Sequence, residues 1–126
     1  MQLNHINLVV TDVPAAIRLF ENYLGFTCID NRRDVVAVLM SSANFVMVLW
    51  SSTLNKTDHV AYPENFHIGF YQENTESVLA LYEKLRNENL AFESVPKKLR
   101  NTFGFYFHFE KLLIEISVLP QHPLPG

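Results

Sequence analysis

Three observations predict an α+β fold: two tandem βαβββ modules forming a curved, mostly antiparallel eight-stranded sheet around a cleft. The first is an internal repeat. His5-Ile6 in the opening Asn4-His5-Ile6-Asn7-Leu8-Val9 returns as His67-Ile68 in Asn65-Phe66-His67-Ile68-Gly69-Phe70-Tyr71, sixty-two positions on. The second is that the offset persists beyond these strands, so that Leu19, Phe20 and Glu21 fall on Leu81, Tyr82 and Glu83. The third is the order of patterns, which in each half runs strand, helix, strand, strand, strand. A repeat of this length sets the fold, because each copy is one supersecondary unit.

Leu3 to Val10 alternates and is rich in branched residues, as a strand does. Alternation puts Ile6, Leu8 and Val10 on one side and His5, Asn7 and Val9 on the other. Thr11-Asp12 can cap a helix that Pro14 begins. Ile17, Phe20, Tyr23 and Leu24 form its apolar stripe, and Gly25 ends it. Strands follow over Phe26–Asp30, Val35–Met40 and Phe45–Trp50, with turns at Asn31–Asp34 and Ser41–Asn44.

Residues 51–64 carry no apolar periodicity and read as a linker. The second module repeats the order. Phe66–Tyr71 is a strand, and Thr75–Asn89 a helix with Val78, Leu81, Tyr82 and Leu85 on its apolar face. Ala91–Val95 is a strand and Pro96–Asn101 a basic loop. Phe103–Phe109 and Leu112–Leu119 are strands joined near Glu110-Lys111. The tail from Pro120 holds three prolines and cannot continue a strand. The expected organisation is one domain over 1–126, with module one at 1–50, the linker at 51–64, module two at 65–119 and the tail at 120–126.

Composition narrows the function. With 126 residues, 48% of them apolar, the chain can bury a core as one compact domain. A net charge of −3 argues against nucleic acid as the main partner, since phosphate binding needs a basic face. Cys28 is the single cysteine, which excludes an internal disulfide and a cysteine metal cluster. No basic leader or long apolar run precedes the first strand, so no secretory signal or membrane span is expected, and a cytoplasmic protein is.

Each module's helix covers one face of its sheet and leaves the other to line a cleft. His5 and His67 lie on that open face at equivalent points of the repeat. Glu115 joins them, because Ile114 and Ile116 on either side claim the helix face. A strand histidine alone is more often a hydrogen-bonded structural residue, and Glu115 alone could pair with Lys97, Lys98 or Arg100. Together, two imidazoles and a carboxylate form a common set for a divalent ion such as Mn, Ni, Zn or Fe(II). His108 is an outer candidate, while His59 in the linker and His122 in the tail read as solvated.

The paired modules resemble the vicinal oxygen chelate superfamily, which includes glyoxalases, bleomycin resistance proteins, thiol transferases and extradiol dioxygenases. The likeness rests on the opening Leu3-Asn4-His5-Ile6-Asn7-Leu8-Val9-Val10 with Asp12, on Leu24-Gly25-Phe26, on His67-Ile68-Gly69-Phe70 and on Ile114-Glu115-Ile116. It implies metal ligands on the first and last strands of each module, mapping to His5, His67 and Glu115. The remaining position maps to Met47, whose thioether suits hard ions poorly and reads as cleft wall. The usual Asp-Pro-Asp-Gly turn before the last strand is replaced by His108-Phe109-Glu110-Lys111.

The expected activity is a divalent-metal-dependent lyase, thiol transferase or dioxygenase acting on a small oxygen-chelating substrate. Met47, Leu49, Tyr71, Tyr106 and Ser117 are the expected substrate contacts, with Trp50 on the opposite parity. Lys98 and Arg100 sit on the loop that could hold an anion. The rival is a metal-free protein of the bleomycin-resistance type that sequesters a planar drug with Trp50, Tyr71 and Tyr106. The resemblance also implies a homodimer.

Overall fold

The computed structural model describes residues 1–55 and 60–120, so the expectations placed on His59 and on His122 lie outside the described residues. The chain forms two compact units, Met1–Ala61 and Tyr62–Gly126. The fold is α+β, with two eleven-residue helices and nine strands among the described residues. The strands form two mixed sheets, of four and five strands, where the repeat predicts a single eight-stranded one. Among the described residues, no helix is long and apolar enough to cross a membrane.

The first unit runs β1 (His5–Val10), α1 (Val13–Tyr23), β2 (Phe26–Arg32), β3 (Val36–Ser41) and β4 (Val46–Ser51). Its sheet order is β1-β4-β3-β2, with β1 and β4 parallel and the other pairs antiparallel. Asp12 caps α1 by accepting from the Ala15 N–H at 3.0 Å. Val13, Ala16, Leu19 and Phe20 are the buried face of α1, rotated from the predicted stripe so that Ile17 and Tyr23 sit at its margin. Phe20 meets Phe26 edge to face, with ring centroids 5.6 Å apart. The β2–β3 turn places Arg33 and Asp34 at φ 57° and 60°, the paired left-handed geometry that matches strand twist in a tight hairpin. A 3₁₀ turn at Ser52–Leu54 follows β4 directly, so the expected linker begins with ordered backbone.

The second unit runs β5 (His67–Gln72), α2 (Thr75–Leu85), β6 (Ala91–Phe92), β7 (Lys97–Lys98), β8 (Phe103–Phe109) and β9 (Leu112–Val118). The order is β5-β9-β8-β6, with β7 also pairing β8 and only β5–β9 parallel. Helix α2 stops at Leu85, earlier than Asn89. Beyond it the Asn87 and Glu88 N–H groups reach back three residues, to Lys84 and Leu85, rather than four. The predicted strand at 91–95 shrinks to two residues, and the predicted basic loop contributes β7. Val78, Leu81 and Leu85 bury against Phe105, Phe107, Ile114 and Ile116, an aromatic-rich core that Tyr82 and Phe92 close. Each sheet thus keeps one face under its own helix.

Candidate functional site

The open face of the second sheet is built by register. His67 pairs with Leu113 and Leu113 with His108; Gly69 pairs with Glu115 and Glu115 with Tyr106; Tyr71 pairs with Ser117 and Ser117 with Gly104. Residues paired across strands share a face. Ile114 and Ile116 are fully buried under α2, which turns Glu115 outward as alternation predicts. Gly104 is required here. A Cβ at that position would lie 2.1 Å from the Ile116 carbonyl oxygen, so β8 and β9 can meet closely only without a side chain.

Glu115 is held by its neighbours on both oxygens. Tyr106 donates its hydroxyl proton to Oε1, and Ser117 donates to Oε2 at 3.0 Å. A carboxylate whose side chain is 20% exposed loses most of its water, and these donors replace it. The hydrogen bond to Glu115, with burial and the Glu115 charge, pushes the Tyr106 phenol up to about 12, against the opposing influence of Arg100. Tyr106 therefore remains a donor across the physiological range.

His67 is oriented by its other nitrogen. Nδ1 lies 2.9 Å from the Asn65 carbonyl oxygen. A carbonyl can only accept, so Nδ1 carries a proton, and Nε2 is the nitrogen whose lone pair the neutral form of the ring would present. That atom lies 3.5 Å from Glu115 Oε1. Two acceptors facing one another at this distance suit a shared proton or a cation between them. His5 shows the same habit in the first unit, its Nδ1 2.7 Å from Asn4 Oδ1. His5 is exposed on the face of β1 opposite Leu8.

Cavities flank Tyr106. One of about 560 Å³ is lined by His67, Arg100, Thr102, Tyr106 and Glu115 among others. Another of about 300 Å³ is lined by Asn65, His67, Glu93, Tyr106 and Leu113. Glu93 Oε1 lies 3.7 Å from His108 Nε2. Among the described residues no group of three or more His, Cys, Asp or Glu gathers to hold an ion.

Other expected contacts are placed differently. Met47 and Leu49 are buried in the first unit's core, 2% and 0% exposed, and pair with Ile6 and Leu8. They face α1 and line no open face. Val46, Val48 and Trp50 share the face of His5, because they pair with His5, Asn7 and Val9. Trp50 was expected on the other parity. Val48 is the register counterpart of Glu115, each lying opposite the residue two beyond its module's histidine. Lys98 pairs with Phe103 on the face away from Tyr106, whereas Arg100 lines the larger cavity. Tyr71 is on the open face and 61% exposed. The Asn65 carbonyl and Glu93 escaped sequence reasoning: Asn65 precedes its strand and acts through its backbone, and Glu93, inside the predicted 91–95 strand, belongs to no repeat or motif.

The sequence profile of the Glyoxalase/Bleomycin resistance protein/Dioxygenase superfamily matches residues 2–113. The chain belongs to that superfamily. The solved structure of a possible glyoxalase from Bacillus cereus is 31% identical, with a TM-score of 0.79 over 93% of this chain and 98% of that one. A lactoylglutathione lyase from Agrobacterium tumefaciens shares the fold at 10% identity, with a TM-score of 0.70 over 93% of this chain and 92% of that one. A glyoxalase/bleomycin resistance protein/dioxygenase from Nocardioides does so at 18% identity and a TM-score of 0.72, over 100% and 88%. No match was found among curated proteins. The superfamily fold thus accounts for the open sheet face, and the chemistry of this chain rests on the side chains upon it.

Proposed function

We propose that this superfamily member is a divalent-metal-dependent enzyme acting on a small oxygen-chelating substrate, by lyase, thiol-transfer or dioxygenase chemistry. The observation that supports it is His67 Nε2 lying 3.5 Å from Glu115 Oε1, with Nδ1 tied to the Asn65 carbonyl. A neutral imidazole nitrogen and a carboxylate oxygen suit Mn, Ni, Zn or Fe(II), and the second hydrogen bond on each fixes its orientation. His5, with its Nδ1 likewise occupied, is the third ligand in this reading, which also takes the protein to be a homodimer.

A bound ion would supply Lewis-acid stabilisation of an oxyanion on the substrate. The chain's own residues do the rest. Tyr106 and Ser117 hold the Glu115 carboxylate in one orientation. The 560 Å³ cavity admits a small molecule beside His67, and Tyr71 borders that face. A cytoplasmic setting belongs to the same reading. Metal content of the purified protein tests it, with His5→Ala and Glu115→Ala alongside. Near-stoichiometric uptake lost in both variants supports the site; no uptake and no thermal shift with any of the four ions sinks it.

The second reading is a metal-free protein that binds a small planar molecule or drug. Val48 favours it, because the register counterpart of Glu115 in the first unit is a hydrocarbon. Half-buried Trp50 stands on the same face of that unit, two residues along β4.

A further inference from the structure

The open face of the second unit carries opposite charges at its two ends. Arg100 lines the larger cavity and Glu93 the smaller, and His67 and Tyr106 border both. The Arg100 end is built on a tethered turn. The Leu99 N–H donates to the Thr102 carbonyl at 2.8 Å, and the Thr102 hydroxyl donates to the Val118 carbonyl at the end of β9. These bonds fix the backbone from which Arg100 extends.

Arg32 and Arg86 pair with Asp30 and Glu83, but among the described residues no carboxylate lies within ion-pair distance of Arg100. A guanidinium lining a cavity without a carboxylate partner offers its forked donors to a ligand anion. Glu115 shares that cavity, yet its oxygens already accept from Tyr106 and Ser117. The Glu93 end is fixed by its own N–H, which donates to the Tyr106 carbonyl at 3.0 Å. Three residues lie between the Tyr106 and Thr102 anchors, four strand steps of about 13 Å in all. A compact ligand therefore reaches one charge well and presents its far end to the other.

We propose that this face binds a small mono-anion in one orientation, its charge on Arg100 and its uncharged end toward Glu93 and Leu113. A second negative charge at the far end meets Glu93 and is rejected. The inference deepens the reading of this face as the substrate site, and it does not require the ion.

Amide chemical-shift titration of the full chain tests the inference with three probes: lactate, its neutral amide lactamide, and the dianion 2-hydroxyglutarate. Lactate is expected to move the amides of residues 99–106, with affinity falling as salt rises. Lactamide should bind about tenfold more weakly or worse, as loss of a charge-assisted contact implies. 2-Hydroxyglutarate should bind more weakly than lactate, and Glu93→Gln should remove that difference. Arg100→Gln should cost lactate about tenfold or more with an otherwise unchanged spectrum, and Arg100→Lys should recover part of it.

Equal binding of lactate and lactamide, no lactate binding, tighter 2-hydroxyglutarate binding, or an Arg100→Gln protein that binds normally each overturns the inference. The titrations are run with a chelator and with added Ni. Lactate binding that survives the chelator and is lost in Arg100→Gln supports the inference; binding that vanishes with the chelator and ignores Arg100→Gln overturns it. Ion uptake measured on the same samples judges the metal reading separately.

Discussion

Tyr106 on β8 donates its hydroxyl proton to Glu115 on β9, directly across the antiparallel pair. That contact makes Tyr106 a residue that positions the carboxylate. Tyr106→Phe leaves Ser117 as the remaining side-chain donor to Glu115 and should weaken any divalent ion by about 10- to 100-fold. Calorimetric titration with Zn or Ni measures this; unchanged affinity would remove Tyr106 from the positioning role.

The same contact sets a pH dependence. The Tyr106 phenol titrates near 12 in the folded protein and near 10 in an unfolded chain. The folded state thus holds the proton more tightly. Its contribution to stability is complete below pH 10 and is lost as pH rises toward 12. Ultraviolet phenolate titration should show a late-titrating component that Tyr106→Phe removes and Glu115→Gln returns toward the ordinary range.

Register on β4 is testable by a pair of neighbours. Met47→Glu drives a carboxylate into the core beneath α1 and should prevent folding or cost well over about 3 kcal/mol. Val48→Glu puts the same group on the half-exposed face and should cost about 1 kcal/mol or less. Urea unfolding of the two variants decides. Equal losses would overturn the assignment of Met47 to the helix side.

Gly104→Ala should destabilise by on the order of 3 kcal/mol, since the added methyl meets the Ile116 carbonyl and the Ser117 backbone. Thermal unfolding provides the check. A near-neutral effect would show that β8 can shift away from β9 without penalty.

At the start of α1, Asp12→Ala removes the acceptor of the Ala15 N–H and should cost about 1 kcal/mol, with Asp12→Asn nearly neutral. Chemical denaturation of the two variants separates capping from charge.

Much of this was legible in the chain. The repeat locates both histidines, and the isoleucines on either side of Glu115 assign its side chain to the open face. Strong caps and glycines located α1, whose Asp12 and Gly25 are where a start and a stop are expected. Where the pattern is weaker the helix departs from it. The predicted α2 runs to Asn89, but Asn87 to Asn89 are exposed, asparagine is a weak helix former, and α2 ends at Leu85.

The sequence by itself determined the superfamily, the strand-helix-strand order and the outward facing of His5, His67 and Glu115, because a period of two with one buried face leaves a single parity for each. The tertiary structure alone decided what stands beside them. Val46-Met47-Val48-Leu49-Trp50 is apolar at every position, so alternation carries no information about which residues face α1. The β1–β4 register resolves it, burying Met47 and Leu49 and turning Val48 and Trp50 to the His5 side. Likewise, a lysine and an arginine two residues apart look equivalent in a basic loop. Pairing with Phe103 turns Lys98 away, and the Leu99–Thr102 turn, tethered to β9 through Thr102, brings Arg100 to the cavity beside Glu115.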